Sequence, residues 1–289
     1  SRPSMAVLMQ AAGEEALILG PFAPPVVALL GVTGISYGSM LLYASIPIAL
    51  VTIVVTWVMA SRLQVQYAHE TFPHDATEER FVPTKQQNTA TIIFILAFIA
   101  CVAYGLIFQA KTSYVIFVML FLSILTGVVG GLRIGKVFHL LVEGMKKNFH
   151  LFFIFFLLGP MLDLVQKAGG FAALMKLFVP LEHFGGKIVL SILIGITGAF
   201  GMPAASAAVI KMLHEMFSPV ALEMNLSVMT FAFSMLLATR ITNFAIPGAN
   251  MFAAMGFAES QNVKAMIKNG LTVTAVQILF LVTYSIIWH

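Results

Sequence analysis

Charged residues and cysteine are both scarce in this sequence. Of the 289 residues only 10% are charged, while 60% are hydrophobic and one is cysteine. A soluble domain carries about 25% charged residues, so the charges present are too few to cover a water-facing surface. We therefore expect most of the outer surface to face lipid, and the composition predicts an all-α membrane protein.

Other absences narrow the range of functions. The single Cys101 excludes an internal disulfide, and the sequence has no CxxC, HExxH or P-loop motif. The formal net charge of +4 is small and scattered, which argues against a nucleic acid partner. No basic segment precedes a short apolar run at the start, so no signal peptide is indicated. We expect neither an enzyme nor a bound cofactor or metal, with Na⁺ considered only as a coupling ion.

Six stretches are long enough to cross a bilayer, whose core of about 30 Å needs roughly 20 apolar residues per helix. The predicted spans are residues 38–60, 92–110, 113–132, 149–168, 219–238 and 271–288. Basic residues cluster in the connections that precede 92, 149 and 271, so the positive-inside rule places these connections in the cytoplasm. Residues 171–184 mix apolar and charged side chains and are predicted to form a surface helix.

Two further apolar stretches are interrupted by glycine and proline. Residues 197–203 read TGAFGMP, and residues 246–250 read IPGAN. Such breaks free backbone groups that lipid cannot satisfy, so they survive only inside protein or beside a wet cavity. We predict a re-entrant hairpin over 187–217, with its tip near 198–206, and a broken helix over 219–258 that unwinds at 239–250.

The two ends of the chain share a pattern. Residues 4–9 resemble residues 250–255, each segment follows a proline, and each precedes one long uncharged span. The charge rule orients the two pairs oppositely, which is typical of an inverted repeat. We predict that residues 1–60 end a first repeat, 61–91 form a cytoplasmic linker and 92–289 form the second repeat. The rest of the first repeat is expected in an upstream segment or a second chain.

Polar groups at the breaks suit an anion. Half-helices beginning at Asn250 and at Ser4 would present unpaired N–H groups and partial positive charge to the membrane midplane. Arg240 is the sharpest feature, because a lone charge there costs at least about 2.5 kcal/mol and a guanidinium can grip a carboxylate through two hydrogen bonds. The alternative is a structural partnership of Arg240 with Asp163, with Glu223 or with helix-end carbonyls.

The order of elements resembles a known superfamily. Three spans, a surface helix, a hairpin, a broken helix and a last span, with PFAPPVVA at 21–28 and LLY at 41–43, resemble the ion transporter superfamily of gluconate, citrate and dicarboxylate permeases. The likeness covers nearly the whole chain in layout, as the C-terminal two-thirds of such a transporter, but only short stretches in residues. It implies an inverted-repeat secondary transporter with a re-entrant hairpin and broken transmembrane helices. The substrate would lie between hairpin tips and helix breaks, beside a coupling ion that is often Na⁺.

These expectations define a candidate site for a small carboxylate, a small organic anion whose transport is coupled to Na⁺ or H⁺. The candidate substrate-binding residues are Arg240, Thr242, Asn243, Gly248, Asn250, Gly201, Ser206 and Ser4. The candidate ion-coupling residues are Thr239, Gly198, Ala199, Pro247 and Asp163. The chain departs from the dicarboxylate permeases, whose tips and breaks carry Ser-Asn-Thr motifs, since it has only Thr242-Asn243 and Ser206 at these places.

Two other functions stay open at this stage. A cation/proton antiporter of the same superfamily would depend on Asp163 and would bind no organic substrate. A non-transporting membrane subunit would act only within a hetero-complex. In every case the expected location is the bacterial inner membrane, with the lipid bilayer as a partner and a homodimer as the expected assembly.

Overall fold

The computed structural model describes the chain except residues 71–82, 109–111, 148, 171–172, 174–175, 177–185, 200–205 and 289. The described residues form helices and turns, with no strand among them. The chain divides into two compact units: a first unit of Ser1–Phe72 with Leu158–His289, and a second unit of Pro73–Leu157. The predicted surface helix at 171–184 falls largely outside the described residues.

The helices are numbered in chain order. They are α1 (Arg2–Leu19), α2 (Pro24–Thr33), α3 (Tyr37–Met40), α4 (Ile46–Gln66), α5 (Lys85–Ile107), α6 (Thr112–Val129), α7 (Ile134–Lys147), α8 (Phe149–Lys167), α9 (Lys187–Ala199), α10 (Ser206–Glu223), α11 (Val228–Ala245), α12 (Ala249–Phe257) and α13 (Val263–Ile287). Within the part of the chain that the structure describes, five stretches are long and apolar enough to span a membrane: Arg2–Thr33, Tyr37–Gln66, Lys85–Gly105, Val228–Ala245 and Val263–Ile287. The prediction of an all-α membrane protein is confirmed.

Helix α11 forms the centre of the first unit. Every residue from Thr230 to Phe244 is buried, and α9 and α13 pack directly against it. Two glycines make this packing close: a Cβ added to Gly198 of α9 would lie 2.2 Å from the Ala238 Cβ, and one added to Gly270 of α13 would lie 2.2 Å from the Phe244 carbonyl oxygen. Because protein covers α11 on all sides, its polar residues stay away from lipid.

A π-helical turn at Leu41–Ser45 joins α3 to α4. Its cause is Pro47 in the first turn of α4, which has no N–H to bond the carbonyl of Tyr43 four residues earlier. That carbonyl instead accepts a hydrogen bond of 3.1 Å from the Tyr284 hydroxyl of α13. The proline therefore gives α4 a polar contact with the last helix.

Helix α1 extends to Leu19, well beyond the segment 4–9 that resembles residues 250–255. Its buried residues include Pro3, Val7, Gln10, Glu14 and Ile18, a spacing of three and four that keeps one face against protein as far as Leu19. The helix also begins at Arg2, with Ser1 at the N-cap position. The interpretation of Ser4 as the cap of a half-helix is therefore wrong, because Ser4 lies inside the first turn.

The boundary between hairpin and broken helix also differs from the predicted 217–219. Helix α10 continues through Pro219 and ends where Asn225 adopts a left-handed conformation with φ 52°. The Leu226 N–H then bonds the Ala221 carbonyl at 2.8 Å, which closes the helix in a Schellman motif. Ser227 caps the next helix by accepting a hydrogen bond from the Thr230 N–H.

The unwound segment is shorter than the predicted 239–250. Helix α11 continues to Ala245, and only Ile246, Pro247 and Gly248 separate it from α12. Ile246 has φ −112° and ψ 125°, the extended conformation that a following proline favours. Gly248, not Asn250, is the N-cap residue of α12.

The second unit contains α5, α6, α7 and the first part of α8. Thr84 and Gln87 form a capping box at the start of α5. Large apolar side chains on these helices are exposed, among them Leu96, Phe117 and Phe138. Since the compact units do not coincide with the predicted 1–60, 61–91 and 92–289 segments, the assignment of inverted repeats and the membrane orientation stay predictions.

Candidate functional site

A buried ion pair lies at the centre of the first unit. Helix α11 carries Arg240, helix α1 carries Glu14, and their side chains are 0% and 1% exposed. The Arg240 Nη1 donates to Glu14 Oε2 at 2.6 Å and to the Glu14 backbone carbonyl at 2.6 Å. One nitrogen thus binds both the charge and the backbone of the residue, which makes the pair charge-assisted and well oriented.

The remaining donors of Arg240 point to hydroxyl groups. Its Nε donates to Thr239 Oγ1 at 3.2 Å, and its Nη2 donates to Ser206 Oγ at 3.2 Å. A guanidinium has five N–H groups, and these contacts with the Glu14 contacts use four. No described residue takes the fifth, which is on Nη2. Arg240 therefore keeps one donor beside Ser206, the first residue of the second hairpin helix.

The Glu14 carboxylate also accepts hydrogen bonds from side-chain amides on α11 and α12. Its Oε2 accepts from the Nδ2 of Asn243 at 2.7 Å, and its Oε1 accepts from the Nδ2 of Asn250 at 2.6 Å. Asn243 also donates to Ser206 Oγ at 3.3 Å. One carboxylate thus links α1, α11 and α12 across the break at Ile246–Gly248. We call Glu14, Ser206, Arg240, Asn243 and Asn250 the central cluster.

The structure brings together part of the predicted site. Arg240, Asn243, Asn250 and Ser206 meet in the central cluster, and Thr239 accepts from Arg240. Thr242 lies elsewhere on α11, because its hydroxyl donates to the Gly198 carbonyl and to the Ala238 carbonyl at 3.1 Å. It therefore binds the first hairpin helix at the close approach of Gly198, not the central cluster.

The other predicted site residues lie at various places. Gly248 is the N-cap residue of α12, and Pro247 is exposed in the break. Ser4 is buried in α1 but ten residues before Glu14, which at 1.5 Å per residue is about 15 Å along the helix. Asp163 is exposed on α8, so Glu14 and not Asp163 or Glu223 is the partner of Arg240. Ala199 ends α9, and Gly201 lies outside the described residues.

Sequence analysis missed Glu14 and its neighbour Glu15, which are 1% and 2% exposed. The signal that could have found Glu14 is the helical spacing 3-7-10-14-18, which places it on the same face as Val7 and Ile18. Glu14 lies 226 residues from Arg240 in the sequence, so no local sequence pattern indicates that the two side chains form an ion pair.

Comparison with known proteins places the whole chain in one family. Residues 1–288 match a family model described as "Tripartite ATP-independent periplasmic transporter, DctM component". No curated protein and no solved structure matches the chain. Within the described residues, no three histidine, cysteine or acidic side chains are grouped so that they could hold a metal ion.

Proposed function

Because the chain belongs to the family of DctM components of tripartite ATP-independent periplasmic transporters, we propose that its central cluster binds a small carboxylate and that transport is coupled to Na⁺ or H⁺. The family consists of multi-pass proteins of the inner membrane that transport organic anions as secondary transporters. Its members work with a substrate-binding protein and a small membrane subunit. It is a transporter family and not an enzyme family.

The observation that carries this proposal is the position of Arg240. A fully buried guanidinium lies within three residues of Asn243, in the last two turns of α11 before the break, and one of its N–H groups has no partner among the described residues. A charge at this depth is tolerated only when partners and function require it. An incoming carboxylate would meet the free N–H of Arg240 and the amide of Asn250, which is only partly buried.

Glu14 gives this site a way to exist in two states. The Glu14 carboxylate accepts hydrogen bonds from Arg240, Asn243 and Asn250 at 2.6 to 2.7 Å. These are the donors that a substrate carboxylate would need, so Glu14 occupies them in its place and avoids an unpaired buried charge. Substrate binding would then exchange one carboxylate for another at the junction of three helices.

The test is uptake by the complete transporter, reconstituted in liposomes with its substrate-binding protein and small membrane subunit. A panel of labelled carboxylates, including gluconate, citrate and dicarboxylates, is offered with and without a Na⁺ gradient. The Arg240→Gln/Glu14→Gln double variant removes both charges of the pair, so neither is left buried alone and the variant should fold but lose uptake by at least about tenfold.

A matched control is Arg62→Gln, which removes an exposed cation from the end of α4 and should leave uptake unchanged. Arg240→Lys keeps the charge but not the planar fork, and should also reduce uptake. Full carboxylate uptake by the double variant would refute the proposed site. Cation exchange without carboxylate uptake would favour an antiporter.

A further inference from the structure

A second buried carboxylate lies next to the central cluster. Glu15 follows Glu14 on α1 and is 2% exposed, yet neither of its carboxylate oxygens receives a hydrogen bond from any described residue. Arg240 gives four of its five N–H groups to Glu14 and to two hydroxyls, and the fifth does not bond Glu15 either. A carboxylate buried without a donor is strongly unfavourable, so this position calls for a specific partner.

The side chains around Glu15 come from two other helices. Its carboxylate faces Thr52 of α4, and Gln277 of α13 contacts the same hydroxyl, with both neighbours 0% exposed. The Gln277 Nε2 donates to Thr52 Oγ1 at 2.9 Å. The Thr52 hydroxyl in turn donates to the Ile48 carbonyl at 3.0 Å. Thr52 has one hydroxyl hydrogen, and when Ile48 accepts it none is left to donate to Glu15.

This arrangement leaves acceptors without donors. The two carboxylate oxygens of Glu15 and the Oε1 of Gln277 are all buried and unpartnered within the described chain. Thr52 Oγ1 has a second lone pair available, since it accepts only one of the two hydrogen bonds that a hydroxyl can accept. Buried oxygen acceptors that receive no hydrogen bond within the described chain suit a cation and not an anion.

The charges of the region support the same occupant. Arg240 is the only cation that acts on Glu15 in the described contacts, and Glu14 is a second anion next to it. Two carboxylates and one guanidinium leave one negative charge inside the first unit. One bound monovalent cation would neutralise it, which is the condition for holding these groups in a low-dielectric interior.

We propose that Glu15, Thr52 and Gln277 bind the monovalent coupling cation, Na⁺ or H⁺, of the transport cycle. A Na⁺ ion would take the free oxygens as ligands, whereas a proton would sit on Glu15 and donate to Thr52 Oγ1 or Gln277 Oε1. The inference rests on the proposed function for its role. A cation at Glu15 removes a negative charge beside Arg240, so it favours a substrate carboxylate in the central cluster, and the substrate favours the cation equally.

The cation site can be tested without any substrate. The purified full chain in detergent is unfolded thermally in NaCl or in choline chloride at equal ionic strength, over a series of pH values. A ligand that binds only the folded state raises the melting temperature with its concentration. A Na⁺ site predicts stabilisation by NaCl but not by choline chloride, while a proton site predicts stabilisation as pH falls with no difference between the two salts.

The test variant is Glu15→Gln, which removes the charge at nearly constant shape. We expect it to abolish the response to Na⁺ or to pH. Gln277→Met, which removes only one acceptor, should shift the half-maximal Na⁺ concentration upward by at least about tenfold in the Na⁺ case and keeps the proposal testable if Glu15→Gln does not fold. Glu143→Gln removes an exposed carboxylate of α7 and should leave the response unchanged.

The outcomes separate this inference from the proposed function. An unchanged cation response in Glu15→Gln and Gln277→Met, or no response in the native chain, would overturn the cation site even if carboxylate uptake is intact. Such a result would mean that the Gln277 amide is turned so that its Nε2 donates to Glu15. A cation response that is lost in Glu15→Gln, in a transporter that takes up no carboxylate, would support the site and refute the proposed function.

Discussion

Helices α11 and α5 are both apolar and long enough to span a membrane, yet they differ in almost everything else. In the most apolar stretch of α11, 83% of the residues are buried within the protein. In the corresponding stretch of α5, only 6% of the residues are buried. Helix α11 carries a charge in its buried part, whereas the polar residues of α5 lie in its first turns, at Lys85–Asn88. The comparison shows that hydropathy alone does not distinguish a helix facing lipid from a helix that carries a site.

The difference follows from the surroundings of a charge. A buried arginine needs partners with fixed geometry, which only helices on all sides can supply. In the first unit α1 and α10 supply partners for Arg240 through Glu14 and Ser206, and Asn250 of α12 donates to Glu14. In the second unit exposed apolar side chains need only an apolar solvent, so lipid suffices.

The largest expected effect is the loss of one member of the buried ion pair. Glu14→Gln removes the only carboxylate that Arg240 hydrogen-bonds among the described residues, and should lower the free energy of unfolding by about 3 to 5 kcal/mol. Removing the exposed Glu143 of the second unit should change it by less than about 0.5 kcal/mol. Thermal unfolding in detergent measures both, and equal effects would contradict the division between the two regions.

A second prediction compares glycines of the two units. Gly198→Ala places a Cβ against Ala238 and should destabilise the first unit by about 1 to 3 kcal/mol. Gly135 lies in α7 with nothing within 4 Å of its Cβ position, so Gly135→Ala should be neutral or stabilise by up to about 1 kcal/mol. Only Gly198→Ala should therefore lower the free energy of unfolding. A neutral Gly198→Ala would mean that α9 and α11 are not in close contact.

The smallest expected losses of stability come from removing helix N-caps. They should be equal in the two units, because a cap stabilises only the first turn of its own helix. Thr84→Ala removes the capping box of α5, and Ser227→Ala removes the cap of α11. Each should cost about 1 kcal/mol. Thermal unfolding of both single variants measures the two losses. Thr84→Ser, which keeps the capping hydroxyl, is the conservative control. A much larger loss for Ser227→Ala would show that it positions α11 and does more than cap it.

Sequence reasoning found the right segments but misjudged where they begin and end. It expected helix ends near the glycine and proline residues at 197–203 and 246–250, and the structure has helices that end at Ala199 and Ala245 and begin at Ser206 and Ala249. It unwound Thr239–Asn243 without need, since polar residues resemble loop residues when their partners are unknown. The restriction that Pro247 imposes on Ile246 was the more reliable sign of the break.

The composition and the positions of Gly and Pro by themselves determined that this chain is a helical membrane protein with interrupted helices. These features are local, because apolar length decides membrane insertion and missing N–H groups decide where a helix breaks. Only the tertiary structure decided that Arg240 pairs with Glu14 and that Glu15 is left facing Thr52 and Gln277. Such choices depend on which faces of distant helices meet, and pairing across 226 residues leaves no periodic trace in the sequence.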